Sequence, residues 1–240
     1  MTPPRIVSLL PSATEIVAAL GFTRELVGRS HECDFPPEVE KLPVCTEPKV
    51  NVQGSTDEIH REIEKLLAES LSVYRVDVER LRHLAPTHVV TQVQCEVCAV
   101  SLDEVRAALA DWSLPRPALV ALSSRDLGDV FRDIERVAAA LGAPERARQL
   151  VDRMGNRMDA VAQKARDSTA RPRVATVEWL SPLMAAGNWM PELVEMAGGE
   201  NVFGRAGAHS PWLAWEDLRE ADPDVVVFFP CGFSLDRVRA

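Results

Sequence analysis

Between residues 144 and 167 the apolar positions Ala147, Leu150, Val151, Met154, Met158 and Val161 recur at threes and fours, with polar residues between them. That spacing lays one stripe along a helix. Gly142-Ala143-Pro144 ends one helix and starts this one, because a proline in the first turn gives up an N–H that has no partner there. Ser168, Thr169 and Pro172 set the far end. At roughly 1.5 Å per residue the rod is about 36 Å long. Strand-then-helix sets flank it on both sides. The pattern predicts an α/β protein of two Rossmann-like lobes with parallel sheets, residues 1–143 and 172–240, joined by a linker helix over 144–171. The cleft between such lobes is the natural ligand site, and one helix spanning both leaves little hinge motion.

In the first lobe an apolar strand at 6–10 leads into a helix to about residue 20, with Ser12 as cap and Glu15 at the capping-box position. A strand at 26–30 and an extended piece at 42–46 follow. Ser55 and Glu58 open a helix to about 70 in the same way. Next come a strand at 73–76, a helix through 84, a strand of strong β-formers at 87–91, a helix capped by Ser101, a strand at 118–122 and an amphipathic helix to 141. The second lobe holds strands at 173–179 and 183–187, helices at 191–197 and 214–220, and a buried strand at 225–229. Ser234 caps a last helix of under two turns, too short to stand alone, so this lobe is expected to be shortened.

Net charge of −9 and the lack of any basic run exclude nucleic acid as a partner. No stretch is long and apolar enough to span a membrane. Residues 5–10 already read as a strand rather than a signal peptide, so the chain is expected to be cytoplasmic as written, or extracytoplasmic if a leader has been removed. It is expected to act as a monomer. Five cysteines cannot all pair within one chain; in a reducing compartment they are thiols, ligands or redox groups.

Those cysteines each fall at or after the end of a predicted strand: Cys33, Cys45, Cys95, Cys98 and Cys231. Ligands bind outside the carboxyl ends of parallel strands, so the thiols are expected to converge on the cleft side. His31-Glu32-Cys33-Asp34 places four polar or ligating residues at one such end, and Cys95-Glu96-Val97-Cys98 is a C-x-x-C pair. His31, Cys33, Cys95 and Cys98 are the candidate transition-metal ligands. Ser12 offers a helix start toward the same edge. Trp179, Trp189 and Trp212 sit at strand ends or in loops and suit the flat face of an apolar ligand. Trp112 and Trp215 fall on predicted helices and read as packing, and His60, His83 and His88 as surface or core residues. No nucleotide-binding, hydrolase or metalloprotease motif occurs, nor any nucleophile–base pair. The chain therefore reads as a binding protein, not an enzyme.

Residues 5–15, Leu26-Val27-Gly28 through Phe35-Pro36, Gly187 through Glu195, residues 197–203 and residues 222–226 together resemble the class III substrate-binding proteins of ABC transporters, nearest their vitamin B12-binding branch. The resemblance covers nearly the whole chain in the family's order. It implies two lobes on one long helix, and as ligand a cobalamin or other corrinoid, an iron–siderophore, haem or a metal ion. It implies docking on an ABC permease through one acidic residue per lobe, which fall here at Glu58 and Glu216. The B12-binding relatives carry aromatics near positions 32 and 47, where this chain has Glu32 and Glu47.

The expected ligand is thus a corrinoid, its ring covered by Trp179, Trp189 and Trp212 and its metal or polar edges addressed by His31, Glu32, Cys33, Cys95, Glu96 and Cys98. A metal ion or metal chelate held by the His–Cys set is the second reading. A cytosolic corrinoid-processing or thiol-redox protein using Cys95 and Cys98 is the third.

Overall fold

The computed structural model describes residues 2–69, 73–93, 102–110, 112 and 115–239. By the density of their internal contacts these form two units: unit 1 is residues 1–53, 61–123 and 131–150, and unit 2 is residues 54–60, 124–130 and 151–240.

Unit 1 is built around β1 (Ile6–Ser8), which leads directly into α1 (Pro11–Ala19) and then β2 (Leu26–Gly28). A short antiparallel pair, β3 (Thr46–Pro48) with β4 (Tyr74–Val76), brackets α2 (Thr56–Ala68). After it come α3 (Val78–Leu84), β5 (His88–Gln92), α4 (Leu102–Ala108), β6 (Ala118–Leu122) and α5 (Leu127–Ala140). The main sheet runs β2-β1-β5-β6 and is parallel throughout. Parallel strands need crossovers, and these cover both sheet faces. That is why Ile6 and Val7 of β1, like Val89 and Val90 of β5, are fully buried. Val7, Leu9, Val73, Leu81, Val89 and Val105 pack into one core. Gly28 is required there: a Cβ would lie 2.8 Å from both Cys45 Sγ and Leu84 Cδ1.

α6 (Pro144–Arg166) is one continuous helix, as its stripe predicts. It ends at Arg166, just before Ser168, Thr169 and Pro172, with Lys164 and Arg166 in the last turn, where cations suit the helix dipole. Residues 144–150 belong to unit 1 and 151–166 to unit 2.

Unit 2 continues with β7 (Arg173–Leu180), β8 (Leu183–Ala185), α7 (Met190–Met196), β9 (Glu200–Asn201), β10 (Trp212–Leu213), α8 (Trp215–Ala221), β11 (Val225–Phe228) and α9 (Leu235–Arg239). β7 is central. It is parallel to β11 and β9, antiparallel to β8, and β8 is antiparallel to β10. The second sheet is therefore mixed where parallel strands alone were expected. Only two residues, Ser181 and Pro182, separate β7 from β8, and a link that short can join only antiparallel neighbours. The two-residue strands β9 and β10 carry no period and have no counterpart in the sequence reading. Ala175, Val177, Leu183 and Leu218 form this unit's core.

Three further expectations are corrected. Ser12 does not cap α1: Leu10 is the N-cap residue, with no side-chain bond, and Pro11 takes the first position, so Ser12 lies inside the first turn. Trp112 lies beyond the end of α4 and packs on the unit 1 core. Trp215 begins α8 and is 48% exposed rather than packed. The Ser55–Glu58 box is present: Glu58 Oε2 accepts from the Ser55 N–H at 2.8 Å, and Ser55 Oγ accepts from the Glu58 N–H at 3.3 Å.

Candidate ligand site

The loop after β2 is held in place by one side chain. Arg29 donates to the carbonyls of Ser30 (2.9 Å), Cys33 (3.0 Å) and Glu40 (3.1 Å). A loop that turns inward leaves carbonyls without partners, and the guanidinium fork supplies the donors. This fixes the direction in which residues 31–33 project.

His31 is pinned twice by Thr46, whose Oγ1 accepts the His31 backbone N–H at 3.1 Å and lies 2.8 Å from Nδ1. Thr46 also donates its hydroxyl proton to Ser30 Oγ at 3.2 Å. With that proton spent, the bond network assigns the imidazole proton to Nδ1. Nε2 then presents a lone pair, and it is buried with no hydrogen-bond partner among the described residues. Burial, with Arg29 nearby, pushes the imidazole below its ordinary pKa, so the neutral ring is favoured. The Tyr74 ring lies 5.2 Å away, tilted by 45°.

Glu32 is half-buried and accepts from the Tyr74 hydroxyl at 3.3 Å. Burial raises its pKa, and the Tyr74 bond partly offsets this. Tyr74, the only tyrosine in the chain, thus touches both neighbours. The sequence reading placed it on a strand and gave it no role; its rarity was the available signal. Glu47 instead pairs with Arg75 across β3 and β4.

Cys33 is buried, and its sulfur meets the Thr14 hydroxyl at 3.0 Å; Thr14 bonds onward to Ser8 Oγ at 2.8 Å. Burial is the main reason its thiol is raised, so the thiolate is disfavoured. Cys45 is a core residue, fully buried among Val7, Leu81 and Val105, with its thiol pushed up by burial to about 11. It does not stand at the sheet edge where it was expected: it is a small hydrophobe. Cys231 is exposed. Cys95, Glu96, Cys98 and the Ser101 cap lie outside the described residues. Among the described residues no group of three or more His, Cys, Asp or Glu is placed to hold a metal ion.

Unit 2 carries the aromatics. Trp179, on β7, donates its indole N–H to the Ser181 carbonyl at 3.1 Å and meets Phe233 edge-on at 5.8 Å. Arg237 stacks over the other partner of that pair, 3.7 Å from the Phe233 centroid, and donates to the Gly54 carbonyl. Trp212 is 53% exposed, its ring edge-on to His60 at 5.3 Å. Trp189 is half-buried at the start of α7. His60 was read from the sequence only as a surface or core residue and Phe233 was not singled out, because neither sits in a motif. His88 is structural: Nδ1 lies 2.8 Å from Thr87 Oγ1 and Nε2 3.1 Å from the Ala140 carbonyl. Glu58 and Glu216 both stand exposed in the first turn of a helix, α2 and α8.

Unit 1 thus holds a buried imidazole with a directed lone pair and a half-buried carboxyl, and unit 2 by itself carries the indoles, Trp212 the most exposed of the three. Residues 6–238 match the periplasmic binding protein family, and the chain belongs to it. It is a non-enzymatic substrate-binding protein of the ABC-uptake class. It is 23% identical to a vitamin B12-binding protein of Pectobacterium atrosepticum, over 98% of this chain and 74% of that one. Among solved structures, a periplasmic haem-binding protein from Pseudomonas aeruginosa superposes with a TM-score of 0.70 at 20% identity, covering 99% of this chain and 76% of that one. The periplasmic vitamin B12-binding protein of Vibrio cholerae gives 0.64 at 18%, covering 94% and 76%. These structures match in fold. No helix among the described residues is long and apolar enough to cross a membrane.

Proposed function

We propose that this protein captures a cobalamin or related corrinoid for ABC-type uptake. The observation that carries the reading is His31: Nδ1 engaged by Thr46, Nε2 buried and without a partner. A neutral imidazole whose far nitrogen is held by a hydrogen bond is the form that ligates a metal. Cobalt in a corrin ring accepts such an axial nitrogen. Trp179, Trp189 and Trp212 supply apolar faces for the ring, and the Pectobacterium relative binds vitamin B12 by description. Cys33, Cys95, Glu96 and Cys98 remain candidate contacts, as does Ser12. Glu58 and Glu216 are proposed as the permease-docking pair; both stand exposed in the first turn of a helix.

The test is to mix purified protein with aquocobalamin and read the visible spectrum and co-elution. A 1:1 complex with a shift in the long-wavelength bands, lost in His31→Ala, is expected. An unshifted spectrum without co-elution overturns the corrinoid reading. Haem is the second reading, since imidazole also ligates iron and the Pseudomonas structure binds haem by description; a Soret shift with haem and none with cobalamin selects it.

A further inference from the structure

In unit 2 the chain turns back on itself as it leaves β11. The Phe229 N–H still donates to the Val177 carbonyl of β7 at 2.9 Å, and the Cys231 N–H to the Glu178 carbonyl at 3.4 Å. Gly232 then takes a φ of +73°, a left-handed backbone that glycine adopts without strain. Beyond that turn the Phe233 ring meets Trp179 edge-on at 5.8 Å. Ser234 Oγ accepts the Arg237 backbone N–H at 3.3 Å. The Arg237 guanidinium carbon lies 3.7 Å from the Phe233 centroid, and the half-buried guanidinium donates to the Gly54 carbonyl. Among the described residues it makes no other side-chain hydrogen bond and has no carboxylate partner. Arg29, by contrast, spends its donors on the carbonyls of Ser30, Cys33 and Glu40, and Arg173 on those of Ala221 and Asp222. Acidic residues outnumber basic ones by 36 to 27 in this chain, so a half-buried arginine left without an acid stands out. Its remaining N–H donors suit an anion.

We propose that Arg237, packed on Phe233, is an anion-binding residue of unit 2 that takes a phosphate carried on a side chain of the bound corrinoid, and so favours phosphorylated corrinoids over the bare amide-edged ring. This rests on the corrinoid reading and extends it. A guanidinium fork matches two phosphate oxygens at once, and charge on both partners strengthens the bonds. Contact with the Phe233 ring restrains the side chain before the anion arrives, so less rotamer freedom is lost on binding. Phe233 also links the charge to Trp179, one of the proposed ring faces. Unit 2 by itself therefore supplies a flat apolar face and a cation beside it. Complete cobalamins carry a phosphodiester in the nucleotide loop, whereas cobinamide carries none.

The experiment compares dicyanocobinamide with dicyanocobinamide phosphate, which share one ring and one set of amides and differ in the phosphate. In the parent protein the phosphate form should bind about tenfold more tightly, the range of a charge-assisted hydrogen bond at a half-exposed site. Arg237→Met keeps an unbranched stem against Phe233 and should remove or reverse the preference, since the net charge of −9 then opposes the phosphate. Arg237→Lys keeps the charge without the fork and should retain part of it. An Arg237 that merely ties its helix to the Gly54 carbonyl would, in Arg237→Met, lower thermal stability and weaken both ligands alike, leaving their ratio unchanged. That result, or equal binding of the two ligands to the parent, overturns the anion site while leaving a corrinoid-binding protein. If neither corrinoid binds, the corrinoid reading falls and haem decides the site. Haem binding weakened in Arg237→Met, with haem dimethyl ester unaffected, keeps Arg237 as an anion site for a propionate; equal losses for both, or no binding of any ring, remove it.

Discussion

Unit 1 and unit 2 prepare for a ligand in opposite ways. In unit 1 the polar groups are buried and directed: Arg29 fixes a loop, Thr46 fixes an imidazole, and Tyr74 holds a carboxyl. In unit 2 the aromatic surface is largely left open, with Trp212 at 53% and Trp215 at 48% exposure. Polar groups must be placed before the ligand arrives, because an unpaired buried donor or acceptor is costly and its direction sets specificity. An indole needs no such aiming. Its contribution comes from area removed from water when something covers it. Under the proposed function, unit 1 supplies selectivity and unit 2 adhesion.

The largest effect that would break this contrast is on stability. Leu81→Ala removes a fully buried side chain from the unit 1 core and should cost about 2–5 kcal/mol in chemical denaturation. Trp212→Ala should cost under about 0.5 kcal/mol, as an exposed surface change, yet weaken ligand binding several-fold by titration. Equal stability losses for the two would mean that Trp212 is core. Next in size is Thr46→Val, which frees the His31 ring; affinity for a cobalt corrinoid should fall about tenfold, the usual cost of losing a ligand's hydrogen-bonded support, while haem or corrin absorbance per bound ring is retained. Thiol reactivity sharpens the comparison further. At neutral pH, mass spectrometry should find Cys231 alkylated within minutes, and Cys33 and Cys45 protected until the protein unfolds, since burial disfavours both thiolates.

The smallest effect is in the pH dependence of unit 2, where two glutamates pull in opposite directions. Glu178 is raised in the fold, so its contribution is present below about pH 4.5 and lost as pH rises through the folded value. Glu58 is lowered by its bonds from Ser55, so its contribution is present above about pH 4.5 and lost as pH falls through the folded value. Thermal melts across pH 3–8 should show Glu178→Gln gaining on the parent toward neutral pH, and Glu58→Gln losing to it. Parallel profiles for the two variants would remove the distinction.

Much of this architecture was legible in the chain. The stripe from Ala147 to Val161 gave the long helix because six apolar positions share one period. The Ser55–Glu58 box was readable because both partners lie within one turn. Ala118–Leu122 was readable as a short apolar strand. Ser12 misled because Pro11 is the better first-turn residue and moved the cap back to Leu10. His31, Glu32 and the indoles were singled out by residue type and by position after strands, while the partners that hold His31 and Glu32, Thr46 and Tyr74, were not.

The sequence alone determined most of the helices and the longer strands, where the long helix begins, and the family, since each depends on neighbours a few residues apart or on order along the chain. Only the tertiary structure decided that Tyr74 faces His31 and Glu32 across more than 40 positions, that Cys45 packs in the core rather than at an edge, that the second sheet is mixed, and that the Thr176 hydroxyl is buried without a partner among the described residues. Those are statements about which groups lose water together. No local period encodes that, because desolvation and hydrogen bonding are set by whatever the folded chain brings alongside.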